Sequence, residues 1–285
     1  MNRLGGYMRL MRPLNCAMMG FAVLVGAMLV RVSPSGSFWL NLAYGFLTGF
    51  TLTAASMAIN DYYDRKIDAI NEPKRPIPSD TIKPAEALAF TFFLTAIGWL
   101  TAFLTSISCL ILAVVSYAIS VGYSTVGKKS GLPGNFLVAA CVSVPFVYGS
   151  LAVAGRVELN VLIFASMAFL SVTGREIAKG IVDVHGDKTQ NVKTLAVHLG
   201  EKTAAYVAVI FFILAIALSP LPLFLNLVSL WFIPLVAATD IGLAASSFML
   251  LRDYSRENAR KVKNMVLLWF LLGLLAFIVG ALAMS

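Results

Sequence analysis

Residues 38–68 read FWLNLAYGFLTGFTLTAASMAINDYYDRKID. The first 22, from Phe38 to Ile59, carry no charge, and a helix of ~20 apolar residues crosses a bilayer. Directly after them stand Asn60, Asp61, Asp64 and Asp68. A membrane-length run that ends in a knot of oxygen-bearing side chains predicts both a fold and a site. The run predicts a transmembrane helix, and the knot predicts polar chemistry at its end.

The rest of the chain reads the same way. Of its 285 residues, 59% are hydrophobic and 13% charged, with a mean hydropathy of +0.84. Soluble domains are nearer a quarter charged. Nine apolar runs are read as spans, at about 14–32, 38–59, 85–105, 107–126, 134–154, 158–176, 203–219, 222–250 and 264–284. The first is followed by Arg31-Val32-Ser33-Pro34, not by a small-x-small cleavage site, so it reads as a span and not as a signal peptide. The eighth holds Pro222, Pro234 and Asp240, which leaves its ends open. The expectation is an all-α membrane protein, one domain over residues 1–285 and a bundle of nine transmembrane helices. Two Asp-rich loops, about 60–84 and 177–202, follow the second and sixth spans and suggest two equivalent parts.

Charge sets the topology. All but Arg31 and Arg156 of the 22 basic residues fall at the N-terminus or in the even-to-odd loops. The positive-inside rule puts that side in the cytoplasm and the C-terminus outside. The net charge of +8 is thereby explained without nucleic acid as a partner; membrane lipids are the partners expected. Cys16, Cys109 and Cys141 stand in apolar runs and read as packing residues.

Asn60, Asp64 and Asp68 share one face if the second helix continues, and Asp61 points about a quarter turn away. Asp183 and Asp187 repeat the four-residue spacing, with Arg175, Glu176 and Lys179 upstream. Stacked carboxylates repel unless cations neutralise them. Hard oxygen ligands suit magnesium, which takes one or two carboxylates together with phosphates and water. The bottom-up reading is a magnesium-bound diphosphate, its remaining charge met by Arg75, Lys128, Lys129, Arg175, Lys179 and Lys188. In a membrane bundle the diphosphate belongs to an isoprenyl lipid.

NDYYDRKIDAINEPKRPIPS (60–79) and REIAKGIVDVHGDKTQNVKTLAVHLG (175–200) resemble the two signatures of the UbiA-type intramembrane prenyltransferases. The resemblance covers the whole chain, and the first signature is highly specific. It implies that Asn60, Asp64, Asp68, Asp183 and Asp187 bind magnesium and prenyl diphosphate. It further implies that Arg75, Lys188, Tyr123 and Lys128, with Arg175, bind the diphosphate. Lys179 and the N-terminal RLMRPLNC (9–16) resemble the archaeal ether-lipid branch, which joins geranylgeranyl diphosphate to geranylgeranylglyceryl phosphate. Arg9, Arg12, Asn15, Lys179 and Arg175 are then candidates for the phosphate-bearing acceptor. That branch often carries acids where Gly180 and Val182 stand, and Asp61 and Glu176 are the substitutes available. An aromatic acceptor, such as 4-hydroxybenzoate, homogentisate or a quinone precursor, is the second reading. A transporter is the third, since intramembrane acids mark ion paths. The acids here gather at one interface, and Asp240 alone lies deep in a span.

Overall fold

The computed structural model describes residues 2–30, 36–189 and 192–283. Arg31, part of the topology argument, lies outside them, as does the Lys129 side chain. The described residues form helices and no strand. In order these are α1 (Arg3–Met11), α2 (Pro13–Met28), α3 (Gly36–Asn71), α4 (Pro84–Thr105) and α5 (Ile107–Thr125). A tight turn over Gly127–Lys129 leads into α6 (Leu132–Ala154), α7 (Leu159–Thr189) and α8 (Leu195–Leu218). The short α9 (Leu221–Phe224), α10 (Phe232–Arg252) and α11 (Arg256–Leu282) complete the chain. Among the described residues, eight helices are long and apolar enough to span a membrane, and α1 with α2, bent by 42°, supply a ninth span.

Three expectations change. The aspartates are not in loops. α3 runs on through Asn71 and α7 through Thr189, so both clusters sit on helix ends. At 1.5 Å per residue these helices are about 54 and 46 Å long, well beyond a ~30 Å hydrocarbon core. The eighth span starts at Phe232 and not at Pro222. Pro220 and Pro222 build α9, and Pro234 falls in the first turn of α10, where a missing N–H costs little. The seventh gains a first turn at Leu195 that Gly200, at φ 86°, sets off from the rest.

By contacts the chain divides into two units. The first comprises Met1–Ala27, Val32–Thr125 and Pro145–Val157. Within it α2 meets α6 at two glycines. A Cβ on Gly26 would strike the Phe146 carbonyl, and one on Gly149 the Val23 carbonyl. Small residues let membrane helices approach where no hydrophobic effect drives them together. Thr48 and Thr101 share a hydrogen bond of 2.8 Å, and the Tyr148 hydroxyl donates to Thr48 at 3.3 Å. The loop after α3 is anchored by Ile77 and Ile82, which bury against Leu10, Ala58 and Ala87.

The second unit comprises Met28–Arg31, Val126–Val144 and Glu158–Ser285. α7 and α8 pack through Ile177, Ala178 and Ile181 against Ala204, Ala205 and Ala208, and Ala259, Val262 and Val266 of α11 join the same core. Trp269 of α11 lies over Gly242 of α10 and donates from Nε1 to Ser246 at 3.0 Å. Asp240 is the partner of Ser219, whose hydroxyl donates to it at 2.6 Å. That bond joins α10 to the C-terminal end of α8, which gives the lone intramembrane acid a structural role.

Candidate active site

In the first unit the site begins at a helix break. Pro13 disfavours the helical conformation at the preceding residue, so Arg12 takes φ 52°, ψ 71° between α1 and α2. Its Nη2 donates to Asp61 Oδ1 at 2.6 Å, and Nη1 approaches the Met57 sulfur at 3.5 Å. Arg75, on the anchored loop, donates from Nη1 to Asp68 Oδ2 at 2.6 Å and lies 3.4 Å from Asp61 Oδ1. Asn60 donates from Nδ2 to Asp64 Oδ2 at 3.0 Å. The exposures of Asp61, Asp64 and Asp68 are 3%, 7% and 6%, so three carboxylates are buried in a single stretch of α3. Charges so buried persist only when paired. Burial works against the charge on Arg75, but Asp61 and Asp68, aided by Glu72, outweigh it and hold its pKa above the ordinary guanidinium value.

The structure thus brings together Arg12, Asn60, Asp61, Asp64, Asp68 and Arg75. Asp61 faces two arginines, Arg12 and Arg75. Arg9 and Asn15 are exposed on either side of the break at Arg12, and Tyr123 is half-buried near the end of α5.

In the second unit, Asp183 is exposed and Asp187 half-buried on the last turns of α7. The Thr194 side chain bonds Asp187, which also feels the charges of Lys179 and Lys128. Lys128 stands on the turn before α6, close to the segment entering α8. There Gly131, at φ 72°, leaves no room for a Cβ beneath the Lys193 carbonyl. Glu176, named in the sequence only as a substitute base, binds Arg175 Nη1 at 2.7 Å and Lys179 Nζ at 3.4 Å. Lys188 is exposed one residue past Asp187. A cavity of about 240 Å³ is lined by Val182, Asp183, His185, Gly186, Asp187 and Arg256.

Among the described residues, no three His, Cys, Asp or Glu side chains gather closely enough to hold a metal unaided. The donors nonetheless fit magnesium. All are oxygens, they come in i, i+4 pairs, and magnesium completes its octahedron with substrate phosphates and water. The sequence reading assigns the basic residues of α11 to topology alone. Arg256, Arg260 and Lys263 recur at i, i+4 and i+7, a one-face signal that the positive-inside rule absorbed.

The sequence pattern of the UbiA prenyltransferase family matches residues 19–272. A digeranylgeranylglyceryl phosphate synthase of Methanosarcina mazei is 36% identical, over 96% of this chain and 97% of its own. One from Archaeoglobus fulgidus is 36% identical, over 95% of this chain and 94% of its own. A solved digeranylgeranylglyceryl phosphate synthase superposes with a TM-score of 0.85 at 33% identity, covering 99% of this chain and 100% of that one. A UbiA homologue of Archaeoglobus fulgidus bound to GPP and Mg2+ shares the fold at a TM-score of 0.69 and 17% identity, over 95% of this chain and 99% of that one.

Proposed function

The chain belongs to the UbiA prenyltransferase family, and from that premise we propose that it transfers a geranylgeranyl group from geranylgeranyl diphosphate to the hydroxyl of geranylgeranylglyceryl phosphate, releasing diphosphate. The observation that carries this reading is the end-to-end similarity to relatives named for the product of that transfer, on a chain that retains both aspartate pairs.

Asn60, Asp64 and Asp68, with Asp183 and Asp187, would hold magnesium, which as a Lewis acid stabilises the charge gathering on the departing diphosphate. The remaining roles belong to side chains. Arg75, braced by Asp61 and Asp68, meets the diphosphate from a fixed position and needs no reorganisation as charge develops. Lys128, Lys188 and Tyr123 supply further donors to it. As the bond from C1 to the diphosphate oxygen breaks, C1 gains allylic cation character and the acceptor hydroxyl bonds to it. The hydroxyl proton leaves with the diphosphate. Asp61 is committed to Arg12 and Arg75, and Glu176 to Arg175 and Lys179, so neither substitutes for the acids missing at Gly180 and Val182. Arg9, Arg12, Asn15, Lys179 and Arg175 serve the acceptor side. The protein is a multi-pass membrane protein; the basic face, with both signatures, is assigned to the cytoplasm.

The test is transfer by the detergent-purified protein from labelled geranylgeranyl diphosphate with magnesium, to geranylgeranylglyceryl phosphate and separately to 4-hydroxybenzoate. Product with the lipid acceptor alone is expected, lost on chelation. Product with the aromatic acid alone would overturn the acceptor.

A further inference from the structure

The second aspartate cluster stands among more cations than its own carboxylates can balance. Lys263 of α11 feels the Asp183 carboxylate together with the positive charges of Arg175, Lys179 and Arg260. Of the acids in this group, Glu176 is already shared between Arg175 and Lys179. With Asp187, which feels Lys179 and Lys128, the group holds five cations, Lys128, Arg175, Lys179, Arg260 and Lys263, and three carboxylates, Glu176, Asp183 and Asp187, and any metal taken by the aspartates widens the gap. The surplus is about two positive charges, which is the charge of a phosphate monoester near neutral pH.

Two further observations point the same way. Arg175 Nε is buried, and among the described residues it has no hydrogen-bond partner. A buried donor left unmade costs on the order of 1–3 kcal/mol, so such a group in a functional region marks the place of a missing acceptor. Arg256 Nε donates to the Val182 carbonyl at 3.0 Å, which fixes the first turn of α11 against α7. With Ala259, Val262 and Val266 buried in the core, the turns of α11 that carry Arg260, exposed, and Lys263, half-buried, are set in place. Lys261 offers the contrast. It is 63% exposed and pairs with Glu257 at 3.2 Å, as an ordinary surface lysine does.

We propose that Lys263 and Arg260 of α11, with Lys179 and Arg175 of α7, form a phosphate-monoester site that holds the head group of the lipid acceptor. Arginine and lysine suit this anion, with the fork of arginine fixing its orientation. The proposal rests on the acceptor reading above, and it adds two residues of α11 that neither signature contains.

Lys263→Met and Arg260→Gln test it, with Lys261→Met as the charge-matched control and Lys263→Arg as the rescue. In steady-state transfer, each test variant is expected to raise KM for the phosphorylated acceptor about tenfold. KM for geranylgeranyl diphosphate and kcat should stay within about twofold, and the control should not differ from wild type. The second arm needs no turnover: binding of a dialkylglycerol phosphate, which lacks a free hydroxyl, is compared by native mass spectrometry with binding of the dialkylglycerol alone and of phosphatidylglycerol. Wild type is expected to prefer the phosphate monoester at least tenfold, and the test variants to lose that preference. Unchanged KM together with unchanged preference overturns the site. Equal loss of monoester and phosphatidylglycerol binding with unmoved acceptor KM assigns these residues to bilayer head groups and overturns the acceptor role. If wild type transfers only to an aromatic acid, the function proposed above fails. A monoester preference that still depends on Lys263 would then establish a phosphate site while removing its assignment to the acceptor.

Discussion

Asp61 sits between two arginines that come from opposite directions along the chain. Arg12 arrives from the helix break 49 residues upstream and Arg75 from the loop 14 residues downstream. Removing the charge from Asp61 would leave two guanidinium groups facing a neutral amide. Asp61→Asn is expected to lower stability by on the order of 3 kcal/mol and to raise KM for the prenyl diphosphate, because Arg75 loses one of its braces. Thermal unfolding in detergent alongside steady-state kinetics checks this; an unchanged melting temperature would show that the pair carries no load. Arg75→Ala is expected to weaken diphosphate binding more than acceptor binding, and the reverse split in KM would move Arg75 to the acceptor side. At this scale the sequence was partly legible. Asp64 and Asp68 could be read because helical spacing alone aligns them with Asn60. The Arg12–Asp61 pair could not, since it depends on a left-handed residue ahead of Pro13 and on contact between distant segments. The cations of α11 were visible but indistinct, because topology alone accounts for basic residues at that end of a span.

Helices α3 and α7 show why an aspartate cluster reads as a loop in sequence. Charge in a sequence ends the apolar run, but it does not end the helix: once the apolar segment has nucleated α-structure, Arg and Lys propagate it at little cost, and each Asp costs under about 1 kcal/mol. Helix continuity is what stacks Asp64 on Asp68 and Asp183 on Asp187. Packing between elements follows small residues, as at Gly26 and Gly149, where backbone meets backbone. Gly149→Val is expected to destabilise the protein by about 1–3 kcal/mol or to prevent its accumulation, because the obstacle is the Val23 carbonyl and cannot rotate aside. Normal yield and melting temperature would contradict that packing. Ser219→Ala is expected to lower stability by about 1 kcal/mol, since it strips a half-buried acid of its hydrogen-bond donor, with KM for both substrates unmoved. A change in KM would instead give Asp240 a part in binding. Hydropathy locates every apolar run, but it misses the charged ends that carry α3 to Asn71 and α7 to Thr189 and that start α8 at Leu195 and α11 at Arg256. It also misses the start of the eighth span, because an apolar stretch broken by Pro222 and Pro234 reads as one long span until α9 separates from α10.

At the scale of the whole molecule, charge asymmetry predicts orientation. A single cysteine at Lys74 is expected to react with an impermeant maleimide in inside-out vesicles only, and one at Arg156 in right-side-out vesicles only; the opposite pattern would invert the topology. Cys16 and Cys109 are buried and should not contribute to the signal. The central claim is that both aspartate pairs are needed for magnesium-dependent binding of the prenyl diphosphate. The most direct measurement is calorimetric binding of a non-hydrolysable geranylgeranyl diphosphate analogue, titrated with magnesium, to wild type, Asp64→Asn and Asp183→Asn. Wild type should bind only with magnesium present, and each variant should bind at least tenfold more weakly. Binding that ignores magnesium, or that survives intact in either variant, would contradict the claim.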